Sequence, residues 1–293
     1  MNILGIDVGN ATTVTNTGLI FDSKVSYSKP IAGEYHELVL DGKTYYIGAG
    51  EYDTEYNKVE KKAYLPLLFS AIALSKSRGT NFNIVLGLPL SQYNSYNKAL
   101  TNKIVSNNDK VIQIDGNERH IIIDDVAVFP ESIFTVSDDF EGIVIDVGGR
   151  TTDCAMIEIN RGKKKILEPT SLPIGTINLY QNFIEKINTT YALDLKINDA
   201  ERILRNGLYL DGEKENIDFA KRVFEDFVEN LISKLQLKFS LRTNRISVTG
   251  GGADIIYKYL VDRIGNNVEK QKEPILANAK NYYELGLSVF EEW

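Results

Sequence analysis

Apolar residues follow two alternating rhythms along this chain. Short runs rich in Ile, Val and Leu, at Asn2–Ile6, Phe82–Leu86, Ile143–Ile145 and Ile246–Val248, predict buried strands. Between them, helical spacing predicts helices over Leu65–Leu74, Tyr96–Ile104, Ile177–Thr189, Asp199–Asn206 and Ile217–Phe239, around Ile255, Tyr259 and Leu260, and over Tyr282–Phe290. Pro66 is tolerated in the first turn of its helix. Asp41-Gly42, Asp115-Gly116 and Asn160-Arg161-Gly162 break alternating stretches and predict hairpins, the first two spanning Leu38–Ile47 and Val111–Ile123. Strands interleaved with helices predict the α/β class.

One phrase occurs twice. Ile6–Thr13 reads I-D-V-G-N-A-T-T and Ile145–Thr152 reads I-D-V-G-G-R-T-T, with six of eight positions identical, which a duplication explains economically. Each copy reads as strand, tight turn and returning strand. Either alone is compatible with an ordinary hairpin; the repetition predicts two hairpins facing one another as a clamp. Small residues let turn amides approach an anion, and Thr hydroxyls add donors. Phosphate is the natural guest of Gly9, Asn10, Ala11 and Thr12 in one turn and of Gly148, Gly149, Arg150 and Thr151 in the other. Asp7 and Asp146 would repel a bare phosphate, so they predict Mg²⁺, held largely through water, and hence a magnesium nucleotide. A third element, Gly250-Gly251-Gly252-Ala253 after the strand Ile246–Val248 and before a helix, suits close approach of a base and sugar. It is neither a P-loop nor G-x-G-x-x-G.

These three elements, in this order, resemble those of the actin, heat-shock chaperone and sugar kinase superfamily of ATPases, in which they are the two phosphate motifs and the adenosine motif. Leu86–Tyr93, Val128–Ser132 and Leu172–Thr176 are further similar to the plasmid-segregating ParM branch. The resemblance implies an actin-like ATPase fold of two lobes with a nucleotide cleft between them. Residues 1–141 plus 274–293 would form one domain, with 23–60 a small subdomain, and 142–273 the other. It implies that Glu131 positions the attacking water, with Asp146 sharing the catalytic role, and that Gly175, Glu201 and Arg202 join the triple glycine around the nucleoside. The residues themselves leave other readings open: Glu131 as a helix N-terminal carboxylate after Pro130, Glu201 and Arg202 as a solvated helix face, Asp254 as a helix cap, and Arg150 as a phosphate ligand or a solvent-facing side chain.

Composition narrows the function. Length 293, with 43% hydrophobic and 25% charged residues, suits two globular domains. No run approaches a membrane span and the first residues read as a strand, so a cytoplasmic protein is expected. A net charge of −7 argues against direct DNA binding. One cysteine, Cys154, excludes an internal disulfide or cysteine cluster and is expected in the core. His36 and His120 fall in β-type segments away from the motifs. The phrases and cysteine clusters of small-molecule kinases and reductive activators of this fold are absent, and the length leaves no room for a chaperone's peptide-binding domain. The resemblance therefore implies a filament-forming ATPase that uses ATP or GTP with Mg²⁺, self-associates head to tail and segregates plasmid DNA through a DNA-binding adaptor. A small-molecule kinase and a non-polymerising regulatory ATPase are the alternatives.

Overall fold

A computed structural model describes residues 2–290. The chain first forms β1 (Ile3–Val8), β2 (Thr12–Thr15), β3 (Ile20–Asp22), β4 (Lys24–Ser26), β5 (His36–Leu40), β6 (Lys43–Ile47), β7 (Glu51–Tyr52), α1 (Tyr64–Leu74), β8 (Asn81–Leu88), α2 (Leu90–Val105), β9 (Asp109–Ile114) and β10 (Asn117–Pro130). These strands make a ten-stranded sheet in the order β3-β2-β1-β8-β10-β9-β5-β6-β4-β7. Then follow β11 (Gly142–Val147), β12 (Thr152–Asn160), β13 (Lys163–Leu172), α3 (Thr176–Tyr191), α4 (Ala200–Asn206), β14 (Leu208–Leu210), β15 (Glu213–Glu215), α5 (Asp218–Gln236), β16 (Ile246–Thr249), α6 (Ala253–Ile264), β17 (Val268–Lys270) and α7 (Ala277–Phe290). The second sheet has five strands, β13-β12-β11-β16-β17.

The duplicated phrase is matched by duplicated topology. In the first sheet β1 pairs antiparallel with β2 and parallel with β8, β2 pairs antiparallel with β3, and β8 pairs parallel with β10. In the second, β11 pairs antiparallel with β12 and parallel with β16, β12 pairs antiparallel with β13, and β16 pairs parallel with β17. Each lobe has its own core. One joins Leu4, Ile6, Leu68, Phe69, Phe82 and Leu86, the other Ile145, Phe183, Phe224, Leu231, Val248 and Leu260. The Asp41-Gly42 and Asp115-Gly116 hairpins join through the pairing of β5 with β9, so the small β-rich region continues the main sheet.

Several boundaries differ from those read in sequence. The helix expected from Tyr96 begins at Leu90, directly after Pro89, since a residue before the pattern's first apolar position can still complete a turn. The strand expected to end at Ile123 runs on to Pro130, where parallel pairing with β8 holds residues that carry no alternation.

The last helix packs on the first lobe. Gly5 on β1 has no room for a side chain, because a Cβ there would lie 2.1 Å from the Ala279 carbonyl oxygen and 2.6 Å from the Tyr283 nitrogen of α7. Gly87 on β8 likewise makes room for the Tyr282 hydroxyl, and Gly286 returns the favour by admitting Ile3 and Val85. Backbone cannot yield as a flexible side chain can. Gly5→Ala is therefore expected to cost about 3 kcal/mol, at the upper end of overpacking penalties, by prising α7 from the sheet. A midpoint of thermal unfolding unchanged from wild type would contradict this packing account.

Candidate functional site

The two repeated turns close in the same way. Gly9 N–H donates to the Thr12 carbonyl at 3.0 Å, and Gly148 N–H to the Thr151 carbonyl at 2.9 Å. They also abut one another. A Cβ on Gly149 would lie 2.6 Å from the Ala11 Cβ and 2.8 Å from its nitrogen, which explains glycine at this point of the second copy. Between the lobes beside them lies a cavity of about 520 Å³, into which Asp7, Glu131, Asp146, Asp153, Gly250 and Gly251 open. Its other walls include Tyr52, Tyr180, Asn198, Glu201 and the loop around Pro30–Glu34.

Register gathers the acidic end. Asp146 on β11 stands directly opposite Asp153 on β12, so the two carboxylates share one face of the sheet at the second turn. The equivalent pair in the first lobe is Asp7 with Val14. Asp146 Oδ2 accepts hydrogen bonds from Ser132 Oγ at 2.7 Å and Asn278 Nδ2 at 3.0 Å. Asn278, on α7, also donates to Asp7 Oδ2 at 3.3 Å and accepts from the Ser132 N–H at 2.9 Å. One amide side chain thus links the repeated aspartates of both lobes. Ser132 is held in the left-handed region at φ 73°, uncommon for a residue with a side chain, by these contacts from two elements.

Lys58 supplies the balancing charge. It is fully buried, and its Nζ lies 2.5 Å from Glu131 Oε1 and 3.4 Å from Asp7 Oδ1. Burial opposes its charge, but the Glu131 and Asp7 carboxylates outweigh burial and hold the ammonium protonated. Burial pushes the Glu131 carboxyl up to about 8 while Lys58 pulls the other way. Asp153 is pushed up to about 7 by burial and then by neighbouring Asp146. Its Oδ2 accepts from Thr151 Oγ1 at 3.1 Å, and the Ser171 hydroxyl, directly opposite on β13, acts with Thr151 against that rise. Asp146 is raised mainly by burial, against the hydrogen bonds from Ser132 and Asn278. Burial likewise raises the Cys154 thiol, on β12 in the core.

The sequence-derived candidates divide. Asp7, Gly9, Asn10, Ala11, Thr12, Gly148, Gly149, Thr151, Asp146, Glu131, Gly250, Gly251 and Glu201 all face the cavity. Gly175, Gly252 and Ala253 lie behind it as packing positions: a Cβ on Gly175 would lie 2.5 Å from the Gly149 backbone, one on Gly252 would meet Val147 and Thr176, and Ala253 is buried in the second core. Arg202 pairs with Asp199 at 2.8 Å on its own helical turn, while Glu201 accepts from the Tyr180 hydroxyl at 3.3 Å. Arg150 is half-buried. Its Nη1 crosses between lobes to the carbonyls of Asp53 at 3.2 Å and Thr54 at 2.5 Å.

Two alternatives fall away. Glu131 begins no helix, since residues 131–141 form turns and it sits just beyond the end of β10. Asp254 makes no cap; its carboxylate pairs with Lys270 of β17. Both histidines sit in carboxylate pairs, half-buried His36 through Nδ1 with Asp115 and exposed His120 through Nε2 with Asp109, each at 2.7 Å. Sequence reasoning missed Lys58, Ser132, Asn278 and Asp153. Asp153 carried a signal as an acid one position beyond the repeated phrase, and Ser132 as the last residue of the Val128–Ser132 stretch, whereas Lys58 and Asn278 carried none.

Comparison with known proteins agrees with this fold. The family described as "Actin like proteins N terminal domain" matches residues 5–133, and that described as "Archaeal actin homologue MreB-like, C-terminal" matches residues 144–262. An archaeal actin homolog of Thermoplasma volcanium is 23% identical over 294 residues, covering 87% of this chain and 89% of that protein. A ParM from a 15-stranded filament of Clostridium botulinum superposes with a TM-score of 0.82 at 21% identity, covering 98% of this chain and 100% of the other. An archaeal actin homolog in complex with ADP superposes with a TM-score of 0.81 at 21% identity, covering 97% and 98%.

Proposed function

Because this chain belongs to the actin-like superfamily, we propose that it is a nucleotide-driven filament former that binds a purine nucleoside triphosphate between its lobes and hydrolyses it. The observation that carries this reading is the pair of like-closed turns, Gly9–Thr12 and Gly148–Thr151, abutting at the mouth of a cavity whose floor bears Asp7, Glu131 and Asp146. Turn amides would hold the phosphates, while Gly250, Gly251 and Glu201 border the nucleoside end.

The carboxylates of Asp7, Asp146 and Asp153, which all open into the cavity, suit a hard cation. Among the described residues no three ligands are gathered to cage a metal directly, which fits Mg²⁺ kept largely in its water shell. Bound there, Mg²⁺ would neutralise phosphate charge. Glu131, ionised beside the Lys58 ammonium, would orient the attacking water and accept its proton, and burial, which pushes its pKa upward, makes that carboxylate a stronger base. Asp146, fixed by Ser132 and Asn278, would hold the second turn in register with Asp7. Occupancy joins the lobes into a closed form whose surfaces repeat head to tail, and a heterologous contact that does not close into a ring propagates as a filament. Hydrolysis then weakens the contacts.

For the biological task we favour plasmid segregation in the cytoplasm. With a net charge of −7 the filament would reach DNA through a small basic adaptor rather than directly. Among the described residues no helix is long and apolar enough to cross a membrane. Electron microscopy with Mg-ATP and Mg-GTP is expected to reveal filaments that shorten as phosphate is released, and plasmid mobility shifts are expected only when the adaptor is added. A protein that remains monomeric with both nucleotides yet turns them over would instead support the kinase or regulatory ATPase.

A further inference from the structure

Residues 53–63, between β7 and α1, form an irregular strap, yet the strap is not a surface loop: Asn57, Lys58 and Lys61 are all buried. It is fastened from several sides. Gln92 accepts the Lys58 N–H at 3.0 Å and donates to the Tyr56 carbonyl at 2.8 Å, and Lys103 Nζ donates to the carbonyls of Val59 at 2.6 Å and Lys61 at 3.2 Å. Arg150 ties its start to the second lobe.

The strap's two buried lysines differ in their partners. Lys58 is neutralised by Glu131 and Asp7. Lys61 is 4% exposed, and its Nζ donates to the neutral side-chain carbonyl of Asn10, within the first phosphate-type turn. Burial and neighbouring Lys58 lower its pKa to about 8, with Arg150 adding to the fall and Asp53 and Glu131 acting against it. A buried ammonium whose acceptor is a neutral amide, beside two further cations, is short of an anion. The turn that supplies its acceptor is one that suits phosphate.

We propose that Lys61 is a specificity-determining residue that reads the terminal phosphate of a nucleoside triphosphate, donating to that phosphate when it seats on the Gly9–Thr12 turn. The inference rests on the cleft being a nucleotide site. A diphosphate would leave Lys61 on Asn10, so triphosphate and diphosphate forms would differ at the strap that Arg150 joins to the second lobe.

The test is calorimetric titration of wild type, Lys61→Met and Lys61→Arg with magnesium complexes of a non-hydrolysable triphosphate, adenylyl imidodiphosphate or its guanylyl counterpart, and of the matching diphosphate. Loss of one charge-assisted hydrogen bond is expected to weaken triphosphate binding by Lys61→Met about tenfold to a hundredfold, with diphosphate affinity within about twofold of wild type. Lys61→Arg, which keeps the charge, is expected to retain the preference for triphosphate. Equal loss for both nucleotides, or no loss for either, would overturn the assignment. Failure of the wild-type protein to bind either nucleotide would instead overturn the nucleotide reading of the cleft.

Discussion

Glu131→Gln is expected to slow phosphate release about a hundredfold or more while leaving nucleotide binding and filament assembly in place. The amide keeps the size of the side chain and a carbonyl acceptor for Lys58, but it cannot take a proton from water, and a general base contributes roughly 10²–10⁴ in rate. Filaments formed with ATP should consequently persist long after wild-type filaments have shortened. Glu131→Ala is a poorer probe, because it strips the buried Lys58 of its closer carboxylate at 2.5 Å. Removing one partner of a buried ion pair costs about 3–5 kcal/mol, so the alanine variant is expected to melt at a markedly lower temperature. Wild-type phosphate release by a folded Glu131→Gln protein would rule out the catalytic assignment.

Asp146→Ala is expected to abolish nucleotide-dependent behaviour altogether. This carboxylate stands at the second turn, accepts Ser132 Oγ and Asn278 Nδ2, and shares Asn278 with Asp7 of the other lobe. Its removal takes away charge for the cation and frees the amide that joins the two aspartates. Two buried donors lose their acceptor, at about 1–3 kcal/mol each, so the variant needs a thermal-unfolding control. Asp146→Asn retains the shape and is expected to give the same loss of turnover with less damage to the fold. Nucleotide affinity and turnover unchanged in both variants would discard the clamp.

The phosphate-turn candidates were legible because they are local. A turn's amides, its glycines and its threonines lie within a few residues of one another, and six identical positions in eight mark the two turns as a pair. Elements buried on one face were legible too, since α5 keeps Val223, Phe224, Val228, Leu231 and Leu235 at helical spacing. Start points were less so. The extension of β10 to Pro130 depends on pairing with β8, whose residues lie more than thirty positions away, and no periodicity within β10 reports it.

By itself the sequence determined the α/β class, the repeated turns and the acids beginning them, and through the resemblance those motifs carry it implied the two-lobed actin-like architecture. Hydrophobic periodicity, turn chemistry and internal repetition are properties of short stretches, and each can be read from neighbours along the chain. Tertiary structure alone decided what stands around those acids. Lys58 comes from an irregular strap and Asn278 from the last helix, neither in a motif, and Ser132, the last residue of the Val128–Ser132 stretch, lies just beyond β10. They meet because α7 packs on β1 and β8 through Gly5 and Gly87, bringing residue 278 between Asp7 and Asp146. The same holds for Arg150, whose partners are backbone carbonyls that carry no side-chain signature. Charge balance in a buried site is set by distance in space, and contacts between residues far apart in the chain leave no local pattern.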